Sequence, residues 1–254
     1  NMCPILEGDF RQIILSEELF SLDRRTGQTR WRYAGAIPNS AVALGDGRVY
    51  FLEARDGAPA GRSLNGRVRI DQLFSGPTFL VALDAKSGRK VWEIPLRLPF
   101  EHIVYLCYAP ATDAVLLSGT FNGKVGAEDH VFYGLRTFRS DTGALLWQQD
   151  IAAGDINGTH GEQWQHPVIL DGEVLTKYFE CDLRTGALLP RRTFHPGHGC
   201  GTLSGSASTI FLRGGNPQMF DMTSGTGAAL NHVSRPGCFV NIIPAGGIIS
   251  IPES

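Results

Sequence analysis

Short apolar runs recur along the chain, bounded by Gly, Pro, Asp and Asn. Ala41-Val42-Ala43-Leu44 and Val49-Tyr50-Phe51-Leu52 flank Asp46-Gly47, and Pro167-Val168-Ile169-Leu170 and Val174-Leu175 flank Asp171-Gly172. Two apolar runs joined by Asp-Gly predict a β-hairpin, because the two-residue turn needs positive φ at both of its central positions. Phe79 to Leu83 is a further run, leading into Asp84-Ala85-Lys86-Ser87-Gly88, after which Val91-Trp92 resumes the apolar pattern.

That last segment belongs to a repeat. SLDRRTGQTRW (21–31), ALDAKSGRKVW (82–92), TFRSDTGALLW (137–147), ECDLRTGALLP (180–190) and MFDMTSGTGAA (219–229) share an acidic residue, two further residues, Thr or Ser, then Gly. Arg139 replaces the acid in the third copy, and the Trp four residues after the Gly is present as Trp31, Trp92 and Trp147 but is Pro190 and Ala229 in the last two. Asp accepts hydrogen bonds from backbone N–H groups just ahead of it, Thr or Ser adds a second local bond, and Gly supplies the positive φ that reverses the chain. Each copy therefore predicts a hairpin turn. The Gly-to-Gly spacings are 61, 55, 43 and 39. Such periods, with several strands in each, predict the four-stranded antiparallel blades of a β-propeller, where one blade covers its faces only by stacking on its neighbours.

Lettering the strands of a blade A to D, the Asp-Gly turns join A to B and the repeated turns join C to D. The expected blades are approximately 40–94, 102–151, 166–193 and 200–230, with half blades at 11–34 and 237–254, all within one domain, 1–254. The two halves suffice for a composite fifth blade. A piece of a longer, seven- or eight-bladed propeller fits the count better.

Composition narrows the function classes. Lys+Arg is 23 against Asp+Glu 25, giving a formal net charge of −2, and no contiguous basic block stands out in the 254 residues, so nucleic acid is not an expected partner. The longest apolar stretch, Pro236 to Pro252, is interrupted by Gly237, Pro244, Gly246 and Gly247 and is too short and broken for a spanning helix. Residues Asn1 to Pro4 begin no signal peptide in the sequence as it stands. Five cysteines, Cys3, Cys107, Cys181, Cys200 and Cys238, form no CxxC and no adjacent pair.

The pattern AxDxxTGxxxW resembles the repeat of the pyrroloquinoline-quinone-like (PQQ-like) β-propeller family, which includes quinoprotein alcohol dehydrogenases and outer-membrane assembly scaffolds. The resemblance covers nearly the whole chain and is best at ALDAKSGRKVW. It implies that Trp31, Trp92 and Trp147 are blade-docking residues, that the blades ending in Pro190 and Ala229 lack this lock, and that the protein works outside the cytoplasm, in a periplasm or at a cell surface. Quinone chemistry in that family commonly uses adjacent cysteines and a calcium site of carboxylate and amide oxygens. The first is missing and no convincing calcium set can be assembled, so PQQ is not the expected cofactor.

Function has to be argued from a site. The B–C loops and the crossovers between blades share one end of the disc, and the histidines fall there. His102, His160, His166 and His198 are the candidate metal ligands, since neutral imidazoles converging from several blades suit a divalent metal. Trp164 and Glu162, in the segment 157–166, and Arg213 and Arg235 are candidate ligand-binding residues, Trp164 as a stacking platform. Cys200 and Cys238 begin inner strands of successive blades; a disulfide and two separate thiols are both open. The expected function is a propeller that binds or scaffolds a protein or other ligand without quinone catalysis. The alternatives are a metal-assisted saccharide lyase or hydrolase using the histidine-rich end, and a PQQ-dependent dehydrogenase.

Overall fold

The computed structural model describes residues 12–55, 67–155, 165–190, 202–236 and 242–252. The chain divides into two compact units. The first is Asp9–Phe121 with Tyr133–Asp150, and the second is Asn1–Gly8, Asn122–Phe132 and Ile151–Ser254.

In the first unit, β1 (Gln12–Leu22) and β2 (Thr29–Pro38) form an antiparallel hairpin around Gly27. Next come β3 (Val42–Gly45), β4 (Arg48–Ala54), β6 (Thr78–Asp84) and β7 (Lys90–Leu96), paired antiparallel in that order. The segment between β4 and β6 carries β5 (Arg67–Arg69), which adds to the start of β1, and a one-turn helix α1 (Ile70–Leu73). The next sheet is β8 (Ile103–Ala109), β9 (Ala114–Val125), β10 (Glu128–Arg139) and β11 (Leu145–Asp155), in the order β11-β10-β9-β8. Strand β9 runs beyond Thr120, the last residue paired with β8, so His130, which the pattern puts in a B–C loop with the other histidines at that end, lies instead inside β10.

The second unit holds β12 (Val168–Leu170), β13 (Glu173–Leu175) and β14 (Glu180–Asp182); β15 (Ser204–Ser206), β16 (Thr209–Gly214), β17 (Asn216–Asp221) and β18 (Thr226–Ala229); and the pair β19 (Ile243–Ala245) and β20 (Ile248–Ser250). Where a fourth strand would flank β14, the described residues give one bridge, Cys181 to Leu188. Leu175, Leu203, Ile210, Leu212 and Phe220 form this unit's apolar core.

The five repeated turns are alike in backbone. The glycines at 27, 88, 143, 186 and 225 have φ of +72°, +71°, +73°, +74° and +70°, and each donates its N–H to the carbonyl four residues back. Asp23 Oδ1 accepts from the N–H groups of Arg25 and Thr26 at 2.9 and 3.0 Å, and Asp182 and Asp221 do the same in their turns. In the third copy Arg139 grips Asp141 at 2.6 and 2.9 Å, so a side-chain ion pair stands where the others have an Asp cap. The residue after the acid ties the two hairpins of its sheet together. Ala85 N–H donates to Gly47 O at 2.8 Å, Ser140 to Asp113 O at 3.2 Å, Leu183 to Gly172 O at 2.8 Å and Met222 to Ser208 O at 2.8 Å.

In the first unit the same residue's carbonyl meets the preceding repeat. Trp31 Nε1–H donates to Ala85 O at 3.0 Å and Trp92 Nε1–H to Ser140 O at 2.9 Å. The indoles lie on glycine: a Cβ at Gly88 would stand 2.6 Å from Trp31, and one at Gly143 2.8 Å from Trp92. Behind Trp31, Leu19, Tyr33 and Ile37 pack on Val49, Phe51, Val81 and Leu83. Behind Trp92, the opposite face of that sheet, Tyr50, Leu52, Leu80 and Ala82, packs on Val104, Leu106, Val115 and Leu117. Gly45 is a third close approach, with Tyr108 occupying the space a Cβ would need and its ring stacked on Tyr50 at 5.9 Å. At the other end of the strands, Phe100 sits over Gly119 and Gly134, where Cβ atoms would come within 2.3 and 2.7 Å of its ring.

Two predictions follow from this geometry. Gly27→Ala meets nothing within 4 Å and should cost only the left-handed backbone penalty, about 1–2 kcal/mol. Gly88→Ala, at nearly the same φ, also displaces the Trp31 ring and should cost a further ~1–3 kcal/mol in a denaturant melt; equal costs would contradict the contact. The turn carboxylates contribute to the acid response. Asp84 is held below the usual carboxylate range by the Ser87 hydroxyl and backbone N–H, and Asp182 by the same two groups of Thr185. Arg139 brings Asp141 down to about 2. Depressed carboxylates contribute stability that is complete above the unfolded value of ~4 and is lost as pH falls through the folded values. The contribution of these carboxylates to the melting temperature should thus be constant above about pH 5 and be lost below pH 4, and Asp84→Asn should lower the neutral-pH melt and flatten the slope below pH 4.

Candidate functional site

The end of the strands opposite the repeated turns carries the buried charge. In the first unit it begins with Glu53, the penultimate residue of β4, whose side chain is 7% exposed. A carboxylate so buried needs donors. Tyr33 OH donates to Glu53 Oε2 at 2.9 Å, and Arg55 reaches the same oxygen through Nε at 2.8 Å and Nη2 at 2.5 Å. Arg55 also donates to Glu93 Oε2 at 2.7 Å, which Lys90 Nζ approaches at 2.7 Å, and the guanidinium lies 4.0 Å over the Phe79 ring. Arg55 and then Lys90 pull Glu93 down to about 2. Burial, followed by the bond to Glu53, pushes the Tyr33 hydroxyl up. Gly35 makes room, since a Cβ there would stand 2.7 Å from Glu53 Oε1. Sequence reading missed this cluster, although Glu53 within the apolar run of β4, and Arg55 two residues on, were a visible signal.

His102 is buried, with Nε2 3.6 Å from Glu101 Oε2. Arg136, in the next sheet, is buried and donates to the carbonyls of Leu135 and Gln149 at 2.9 and 3.0 Å, with Asp150 Oδ1 at 2.7 Å.

The second unit places His166 just before β12, half-buried, with Nδ1 3.1 Å from Pro167 O; burial lowers its pKa, which favours the neutral imidazole. Gln165, Lys177, Glu180 and Arg213 are buried. Arg213 thus lies inside the unit at the end of β16, whereas Arg235 is exposed. His160, His198, Glu162, Trp164, Cys200 and Cys238 lie outside the described residues. Among the described residues no group of three or more His, Cys, Asp or Glu side chains is close enough to hold a metal ion. Trp31, Trp92 and Trp147 are half-buried at the starts of their outer strands.

Among the described residues no two cysteines form a disulfide. Cys107 and Cys181 are separate free thiols on β8 and β14, and burial pushes each up to about 12, so both stay protonated and poorly nucleophilic at neutral pH. What the site does well is hold charge inside a sheet end. The side-chain polar contacts described for Glu53, Arg55 and Glu93 are to other side chains of the cluster.

Comparison with known proteins agrees with this architecture. The family model described as "Outer membrane protein assembly factor BamB" matches residues 10–176. No curated protein matches the chain. Among solved structures, BamB from Moraxella catarrhalis is similar with a TM-score of 0.52 at 19% identity, over 93% of this chain and 64% of that one. A rhamnogalacturonan lyase from Bacillus licheniformis aligns over 89% of this chain and 45% of its own, at 16% identity and a TM-score of 0.49. The quinohemoprotein alcohol dehydrogenase from Comamonas testosteroni aligns over 92% and 42%, at 15% identity and 0.46. The chain thus spans less than two-thirds of the length of the BamB structure, and the likeness establishes the fold class alone, an all-β propeller built of antiparallel blades. With the family model covering most of the chain and the repeated Asp-x-x-Thr-Gly turns built alike, this protein belongs to the PQQ-like repeat β-propeller family whose model describes the outer membrane protein assembly factor BamB.

Proposed function

We propose that the chain is a non-catalytic scaffold that works outside the cytoplasm and binds protein partners of outer-membrane protein assembly. The observation that carries this reading is the family match over residues 10–176. In that span several of the repeat's polar groups are bonded to one another: turn carboxylates to backbone N–H groups, Trp indoles to turn carbonyls, Glu53 and Glu93 to Arg55. A surface held rigid this way suits recognition, because little order has to be created on binding. Trp31 and Trp92 act in this reading as docking side chains, and Trp147 takes the same role by its place in the repeat. Propellers host many chemistries, so the assignment rests on the family and not on the fold.

The test pairs a binding measurement with an activity measurement. Purified chain mixed with the soluble region of an outer-membrane protein assembly partner should form a stoichiometric complex in analytical ultracentrifugation, unchanged by added PQQ and calcium. Dye reduction in the presence of PQQ, calcium and primary alcohols should stay at background. Alcohol-dependent reduction above background, or no complex at tens of micromolar, would overturn the reading.

A further inference from the structure

The sequence shows no basic block, yet the fold makes one from two short segments of successive repeats. Trp31 leaves the first turn and lies over Gly88 of the second, with Nε1 on Ala85 O, which sets the two turns side by side. Within them Asp23 and Asp84 turn their Oδ1 atoms onto their own backbone N–H groups. Arg30 is answered by Asp23, and Lys90 by Glu93. Arg24 and Arg25 on the first turn and Lys86 and Arg89 on the second are exposed, and none is in an ion pair with a carboxylate among the described residues. Two aliphatic side chains flank them: Leu22, next to Asp23, is 48% exposed, and Val91, next to Lys90, is 46% exposed.

We propose that this end of the first unit docks peripherally on an anionic phospholipid surface. The four cations stand on hairpin tips, where they can spread over headgroup phosphates, as juxtamembrane basic residues do. Leu22 and Val91 stand two residues from Arg24 and from Arg89, and they offer aliphatic surface to the headgroup and acyl boundary once the tips enter the headgroup layer. A cation patch bordered by exposed aliphatics suits a lipid surface better than a nucleic acid, which offers phosphates but no apolar layer. The proposal goes beyond the scaffold reading and does not depend on it, since loss of a protein partner would leave vesicle binding unchanged.

The experiment is co-sedimentation of the whole chain with vesicles of phosphatidylglycerol and phosphatidylcholine in equal parts, and with phosphatidylcholine alone. Binding is expected to the anionic vesicles at low ionic strength, with release in about 0.5 M salt, where the Debye length shrinks to a few ångströms. Each cation at such a surface strengthens binding about fivefold, so Lys86→Glu should weaken it roughly tenfold or more. Arg97→Glu makes the same charge change beyond the other end of β7 and should have little effect. Arg24→Glu on the neighbouring turn should reproduce the Lys86→Glu loss, with both variants melting like the parent. Equal losses for Lys86→Glu and Arg97→Glu, no binding to anionic vesicles at low salt, or tighter binding to a DNA oligonucleotide at the same salt would each overturn the proposal.

Discussion

An indole lying on a glycine links one repeat to the next. Trp31 on Gly88 and Trp92 on Gly143 each fill the volume a Cβ would need, and each indole N–H satisfies a turn carbonyl that would otherwise face solvent or bury without a partner. Two requirements meet at one residue. The turn needs glycine for its positive φ, and the preceding repeat needs the same glycine for the missing side chain. The residue after the acid completes the junction: its N–H ties the two hairpins of its own sheet, and its carbonyl receives the ring from the sheet before. Sheets joined this way bury their faces against each other, as Val81 and Leu83 on one side and Leu80 and Ala82 on the other show for β6.

This economy bears on function. The acids at Asp23, Asp84, Asp182 and Asp221 cap turns, and the charged cluster of Glu53 with Arg55 and Glu93 pairs within itself beside Phe79 and Tyr33. Cutting one member would leave a buried charge uncompensated, so the cluster fixes how the strands meet at that end.

Much of the architecture was legible in the sequence because turns are local. Asp46-Gly47 and Asp171-Gly172 adopt the left-handed pair that Asp-Gly between apolar runs requires, with φ of +48° and +68°, and +47° and +80°. The Asp-x-x-Thr-Gly segments form the bonds their spacing implies. What depends on distant partners was not legible. Gly119 and Gly134 look like weak points in strands until Phe100 is seen to occupy them, and Arg24 and Lys86 look like isolated surface charges until Trp31 brings their turns together. His130 shows the reverse error: just ahead of Val131-Phe132-Tyr133 it reads as a loop residue, but β10 already begins at Glu128. Of the residues singled out on the histidine-rich end, His102 and Arg213 prove buried within their units and Arg235 lies exposed, because sequence pattern places a residue at a strand end without saying which way the chain around it folds.

Whether the indole and the glycine are one interaction is measured directly by a double-mutant cycle. Trp92→Ala, Gly143→Ala and the double variant should be unfolded in denaturant beside the parent. If the Trp92 ring occupies the space above Gly143, alanine at 143 costs its steric and backbone penalties with Trp92 present but only the backbone penalty once the ring is gone. The coupling should then be about 1–3 kcal/mol. Additive costs within about 0.5 kcal/mol would show that the two residues act independently and would contradict the account.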